Sequence, residues 1–255
     1  MKKVDLNCDL GESFGAYTIG LDARVIPHIS SANVACGYHA GDPAVMRKTV
    51  AMAAREGVAV GAHPGFPDLV GFGRRNMTVS PDEAYEYMLY QLGALSAFAK
   101  AAGVRLQHVK PHGALYNMAG KDASLAAAVA RAIYDFDPSL ILLGLSGSAM
   151  LTEGEKLGLR CAKEVFADRG YNEDGSLVNR KLPGAMITDE NLAIERVLRM
   201  LEHGEVEAVT GKVIPIEADS VCVHGDNEHA VEFVTKIRAA IEAHGMQVAP
   251  MGETL

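Results

Sequence analysis

No apolar run in this chain reaches the roughly 18 residues that a membrane span needs. The opening residues, MKKVDLNCD, enter a strand pattern without an apolar leader. A soluble, cytoplasmic protein is the expectation. Cys8, Cys36, Cys161 and Cys222 are widely spaced and form no CxxC pair, which speaks against a zinc cluster and against disulfides; buried, reduced thiols fit better. A basic surplus is also missing: 24 Lys and Arg stand against 32 Asp and Glu, a formal net charge of −8. Nucleic acid as main partner is thereby excluded, because phosphate backbones are met by basic faces. The same charge repels small anions at long range, so an acidic substrate would need local cations in its pocket. GxxxxGK[ST] and GxGxxG are both absent. The stretch AVTGKVIP holds a Gly-Lys pair, but neither the earlier glycine nor the following hydroxyl residue.

Short β-branched runs alternate with Ala-, Leu- and Glu-rich segments. Strands are expected at 3–9, 31–36, 58–63, 104–110, 140–145, 160–166 and 220–224, with MQVAP at 246–250 as a doubtful eighth. Helices are expected at 43–56, 82–102, 122–135, 147–157, 189–202 and 227–244. Gly57, Gly103, Gly158 and Gly245 sit where helices stop, and Asp42-Pro43 and Ser80-Pro81 where they start. Strand–helix alternation without a linker implies one domain, residues 1–255, with a parallel sheet and helices outside it. Seven strands favour a closed or nearly closed β/α barrel; an open doubly wound sheet is the competitor. Segments 64–80, 167–188 and 204–219 read as long loops, which in compact domains are often functional.

Alternate strand residues face opposite ways. In VDLNCD, Val4, Leu6 and Cys8 oppose Asp5, Asn7 and Asp9. In SVCVH, Val221 and Val223 oppose Ser220, Cys222 and His224, while His108 and Lys110 share a face in LQHVK. Asn33 and Glu164 continue this polar face. A strand buried on both sides would be apolar throughout, so the polar face belongs in a barrel interior or on a solvated sheet. The strand ends NCDLGE, NVACGYHAGD, GAHPGFPD, VKPHGALYN, LGLSGS, EVFADRGY and VHGDN place Gly beside His, Asp or Lys. Such barrels keep their chemistry at this end.

Each residue also has a plainer role. Asp5 and Asn7 could be a structural hydrogen-bond network, and His108 a satisfied interior imidazole. Asp42 suits a helix cap. His28, His203, His229 and His244 suit exposed positions. Arg74, Arg75, Arg169 and Arg180 lie in long loops, where they could clamp a carboxylate or phosphate or simply be solvated. Tyr116 and Tyr171 could wall a pocket or pack. HVKPH cannot be a helical HxxxH site, because Pro111 and the strand forbid that helix.

The blocks DLNCDLGES, SANVACGYHAGD, GAHPGFPDLVGFGRR, VKPHGALYN, EVFADRGY and VCVHGDN, in this order from residue 5 to 227, resemble the LamB/YcsF family. That resemblance implies an incomplete seven-stranded parallel β/α barrel, similar to the polysaccharide deacetylase superfamily. It implies ATP-dependent opening of the lactam of 5-oxo-L-proline to L-glutamate, together with 5-oxoprolinase subunits B and C. Without a phosphate cradle in this chain, ATP would be engaged through those partners or at an unfamiliar site.

Opening a lactam needs a base for water, stabilisation of a developing oxyanion and protonation of the departing nitrogen. Asp9 with His39 or His63, supported by Glu12, would activate water. Lys110 would stabilise negative charge, and His112 or His224 would move a proton. Asn7, Asn33, Arg74, Tyr116, Arg169 and Asp226 are candidate substrate-binding residues. Deacetylases of the similar superfamily bind a divalent metal through one Asp and two His, for which Asp9, His39 and His63 are the candidates here. If Lys110 touches the reacting group, Lys110→Met should abolish turnover while leaving the melting temperature near normal. The rival functions are a metal-dependent hydrolase acting without ATP, on an acetylated sugar or another cyclic amide, and a non-catalytic binding subunit.

Overall fold

The structure, a computed structural model, describes residues 1–223 and 228–255, with the backbone alone at 228–230. Its strands are β1 (Lys3–Leu10), β2 (Ser31–Ala35), β3 (Ala59–His63), β4 (Leu106–Val109), β5 (Ile141–Leu145), β6 (Arg160–Phe166), β7 (Glu205–Glu207), β8 (Val213–Pro215), β9 (Ser220–Cys222) and β10 (Gln247–Val248). Its helices are α1 (Asp22–Val25), α2 (Pro43–Arg55), α3 (Pro81–Ala101), α4 (Gly113–Ala119), α5 (Ala123–Phe136), α6 (Ala149–Lys156), α7 (Glu190–His203), α8 (Glu228–Ala243) and α9 (Met251–Thr254).

β1 to β6 pair in sequence order, β6 pairs with β9, and β9 returns to β1, all parallel. Seven strands thus close a ring, one short of a full eight-stranded β/α barrel. The doubtful strand at 246–250 exists as the two-residue β10, which pairs with β1 at Lys3 and Val4, ahead of the part of β1 that β9 covers. Segment 204–219 departs from the expected loop: β7 and β8 form a small antiparallel hairpin within it. Three-residue strands are too short to show a period-2 pattern. Loop 64–80 has no regular element, and segment 167–188 carries only isolated bridges.

The helices begin and end where local chemistry dictates. Asp42, Asp122 and Asp189 cap α2, α5 and α7 by accepting from first-turn N–H groups, and Ser80 with Glu83 forms a full capping box on α3. Gly57, Gly103, Gly158 and Gly245 all take the left-handed conformation expected of helix-ending glycines. Val4, Leu6 and Cys8 are buried outside the ring, in the apolar cluster shared with the helices. The inner face carries Asp5, Asn7, Asn33, His108, Lys110, Glu164 and Ser220, all buried. At one position inside the ring only glycine fits: a Cβ on Gly61 would lie 2.0 Å from His108 Nε2.

Candidate active site

The ring interior is a layered polar network. At its base Asp5 accepts hydrogen bonds from Ser30 (2.8 Å), Ser31 and Ser220. Burial, partly offset by those hydroxyls, lifts the Asp5 carboxyl from the usual range to about 6. One layer up, Asn7 donates to Ser220 (2.7 Å) and accepts from Asn33 (2.7 Å). Asn33 also donates to Asp9 (2.9 Å), and its carbonyl oxygen lies 2.6 Å from His108 Nε2. His108, buried and near Lys110, is pushed down to about 3 and is therefore neutral; its Nε2–H donates to Asn33. Asp5, Asn7, Asn33 and His108 are thus structural parts that hold what lies above them.

Lys110 is 2% exposed. Its ammonium sits 2.8 Å from Asp9 Oδ1, 2.8 Å from Glu164 Oε1 and 3.2 Å from Cys222 Sγ. Burial opposes its charge, but Asp9, Cys222 and Glu164 together hold it well above the usual lysine range. Glu164 in turn accepts from Tyr116 Oη at 2.6 Å. An ammonium has three N–H groups, and here each faces a group of the protein. Lys110 is therefore built to orient Asp9 and Glu164. Tyr116 reaches the site through Glu164, and Tyr171 leaves it: its hydroxyl accepts from Phe166 N–H in the packed core.

Above Asp9 lies a histidine cluster. His63 Nδ1 lies 2.7 Å from the carbonyl of Lys110, and His112 Nε2 lies 2.8 Å from the carbonyl of Phe72. A carbonyl only accepts, so both nitrogens carry hydrogen. The opposite nitrogens, His63 Nε2 and His112 Nδ1, then face one another with lone pairs at 2.9 Å. Two lone pairs do not bond; a proton or a cation must lie between them. His39 stacks on His112 with ring centroids 3.7 Å apart, and its Nε2 is 3.2 Å from Glu12 Oε1. Burial, reinforced by neighbouring imidazoles, holds His39 and His112 well below the usual histidine range, which favours neutral rings. Donor atoms of Glu12, His39, His63 and His112 all lie within 4.8 Å of one another. This set could hold a metal ion: neutral imidazoles and a carboxylate suit a divalent cation. Asp9 Oδ2 is 3.3 Å from His63 Nε2, at the edge of the set.

These groups open into a cavity of about 1260 Å³, lined by Asp9, His63, Lys110 and His112 at one end and by long-loop residues at the other. Arg74 lines it and lies over the Phe72 ring at 4.9 Å. Arg169 lines it too, but donates to the carbonyls of Ala185 (3.1 Å) and Val178 (2.7 Å), so it braces its own loop. Arg75 pairs with Asp68. The sequence candidates Asp9, Glu12, His39, His63, Lys110 and His112 are thus brought together; His224 and Asp226 lie outside the described residues. Sequence reasoning left Glu164, Cys222 and Ser148 out of the candidate set. Strand parity marks the first two, and the LGLSGS strand end marks the third.

A parallel β/α barrel with acids, imidazoles and a buried lysine at the C-terminal mouth of its strands has the architecture of a small-molecule enzyme. The chain belongs to the LamB/YcsF family, whose pattern matches residues 4–255. It is 61% identical over 255 residues to the A subunit of 5-oxoprolinase from Alkaliphilus metalliredigens, covering all of both chains. It is 55% identical over 253 residues to the equivalent protein of Bacillus subtilis, covering 99% of this chain and 98% of the relative. The crystal structure of the lactam utilization protein from Thermus thermophilus superposes with a TM-score of 0.91 at 50% identity, covering 98% of this chain and 99% of that one. The T48 deacetylase superposes with a TM-score of 0.53 at 16% identity, covering 99% and 90%, a likeness of fold alone.

Proposed function

We propose that this chain is the lactam-opening subunit of a 5-oxoprolinase, converting 5-oxo-L-proline to L-glutamate with ATP hydrolysis, in the cytoplasm and alongside subunits B and C. The observation that carries the reading is Asp9, fixed by Lys110 and Asn33 through Oδ1 while Oδ2 faces the cavity end where His63 lies. A carboxylate held in this way is a positioned general base for water. Lys110 is a positioning residue that keeps Asp9 charged and aimed. His63, with one nitrogen locked on a carbonyl, has only Nε2 left to meet a proton or a metal at the reacting centre. Arg74, which lines the same cavity, would supply a counter-charge for the substrate carboxylate. Glutamate formation from 5-oxoproline, measured with this chain alone and with subunits B and C, tests the reading. Turnover with ATP in the full set is expected, and no glutamate in any combination refutes it.

The cluster favours one addition. Glu12, His39, His63 and His112 would hold a divalent metal, which would act as a Lewis acid or lower the pKa of bound water. Protein purified without a histidine tag should contain near-stoichiometric metal by elemental analysis, and His112→Ala should lose it. Metal-free protein of full activity refutes this addition. Turnover by the chain alone, with metal and without ATP, would instead support a metal-dependent hydrolase.

A further inference from the structure

The cavity is much larger than a five-membered lactam needs, since pockets of about 300–1,000 Å³ already accommodate drug-sized ligands. Its outer part is also opposite in charge to the molecule. Beyond Asp9 and Lys110, six cationic side chains line it against the two acids Asp122 and Asp174, although the whole chain carries −8. One wall is the loop between β5 and α6. Backbone bonds from Ser146 to Glu164, Ser148 to Leu145 and Ala149 to Gly120 hold this loop in place. Ser148 occupies the N-cap position of the eight-residue α6 in the usual extended conformation, yet its hydroxyl makes no capping bond. It lines the cavity, is 5% exposed, and its Oγ meets no hydrogen-bond partner among the described residues. An unpartnered buried hydroxyl is unfavourable unless something else binds it.

We infer that Ser148 and the N-terminus of α6 form a phosphoryl-binding subsite, facing the same cavity as the Asp9–histidine centre. The Ser148 and Ala149 amides are already taken by Leu145 and Gly120, which leaves the positive end of the helix and the Met150 and Leu151 amides, without a side-chain cap, to attract oxyanions; the hydroxyl of Ser148 turned toward the ligand would add a donor. Arg180 and Lys121, which line the same cavity, supply the charge that a phosphate dianion needs. The subsite gives this chain a place for phosphate that needs no glycine-rich cradle. It rests on the proposed function, in which a phosphoryl group takes part; that group could arrive on a nucleoside triphosphate or on a phosphorylated lactam.

The full chain is titrated calorimetrically with inorganic phosphate, with a non-hydrolysable ATP analogue and with 5-oxoproline. Wild type should bind phosphate. Ser148→Ala should weaken it about three- to tenfold, as loss of one hydrogen bond does. Ser148→Asp is the decisive variant: aspartate is a good N-cap, so the fold and its melting temperature should hold, while its charge should abolish phosphate binding. Tighter binding of the ATP analogue than of phosphate, with the same sensitivity to Ser148→Asp, identifies the nucleotide as the source. Phosphate binding without analogue binding identifies the phosphorylated lactam. Absence of phosphate binding in the wild type, or undiminished binding in Ser148→Asp, overturns the subsite. The 5-oxoproline titration separates the two readings: it should be unchanged in Ser148→Asp, and lactam binding with no phosphate binding would remove the subsite while sparing the proposed function.

Discussion

Replacing Lys110 by methionine removes one positive charge from between two carboxylates. Asp9 and Glu164 each lie 2.8 Å from the ammonium, and Glu164 is fully buried. Breaking one side of a buried ion pair costs about 3–5 kcal/mol, because the partner charge is stranded. In a chain of this size each kcal/mol lowers the melting temperature by about 2–4 °C, so a fall of roughly 6–20 °C is expected. This differs from the near-normal melting temperature expected if Lys110 merely touches the reacting group, and the melt decides between the two. Calorimetric melts of wild type, Lys110→Met and the double variant Lys110→Met/Glu164→Gln check it. The double variant should regain much of the loss, since one stranded charge is gone, but should stay inactive, since Asp9 still lacks the ammonium, with Asn33 left on Oδ1. Without the ammonium, the carboxyl pKa of Asp9 should rise, so any residual activity should have its acidic limb shifted to higher pH, which a purely structural role would not do. A Lys110→Met protein melting within about 2 °C of wild type would refute the charge accounting.

Asp5, lifted from 3.8 to about 6 by burial, gives a stability effect of known sign. Its folded pKa exceeds its unfolded one, so the favourable contribution is full below about pH 4 and is lost as pH rises through about 6. That amounts to about 3 kcal/mol at 1.36 kcal/mol per unit, and Asp5→Asn should therefore melt higher than wild type at pH 8 and no higher at pH 4. Equal melting temperatures at pH 8 count against it. Gly61→Ala would press a methyl into His108, 2.0 Å from Nε2, and should destabilise by at least the roughly 1–3 kcal/mol of ordinary overpacking; a wild-type chemical denaturation midpoint contradicts that. Cys222 touches Lys110, but burial drives its thiol well above the usual range. It is no thiolate nucleophile at neutral pH, so Cys222→Ala should retain turnover within about tenfold and native protein should resist iodoacetamide. Inactivation by stoichiometric alkylation of Cys222 would refute this.

Much of the ring was legible in the sequence because several strands alternate an outward apolar set with an inward polar one, as Val4, Leu6 and Cys8 do against Asp5, Asn7 and Asp9; β5, ILLGL, is apolar on both faces. Helix limits followed from Asp and Ser caps and from glycines, and they differ from expectation by two residues at most. β4 is shorter than expected, and within it Gln107 is an extra residue opposite β3, where pairing passes from Val60–Leu106 to Gly61–His108. Such a bulge leaves no mark in hydrophobic alternation. Chain order likewise could not show that Lys110 would donate to Asp9, Asn7 and Cys222 while pairing with Glu164. Those partners come from three different strands, and only ring closure through β9 joins them. The metal candidates shifted for a similar reason. Asp9, His39 and His63 were sensible from strand-end positions, but His112 stacks on His39 and faces His63 through a loop geometry fixed by the Phe72 carbonyl.

The two ends of the cavity divide the labour of recognition between them. A chain of net charge −8 repels anions only weakly at long range, because beyond a Debye length of about 8 Å that repulsion is largely screened. Within that distance the local field governs, and the cations of the loop wall outnumber its acids. Under the proposed function, an anionic lactam would be attracted once it has entered the mouth, with its charged end drawn to the basic wall and its neutral amide left to face Asp9. Orientation then follows from charge rather than from shape. This accounts for a roomy cavity around a small reacting group: the barrel end supplies fixed chemical groups in a buried network, and the loop end supplies the field that turns the ligand toward them.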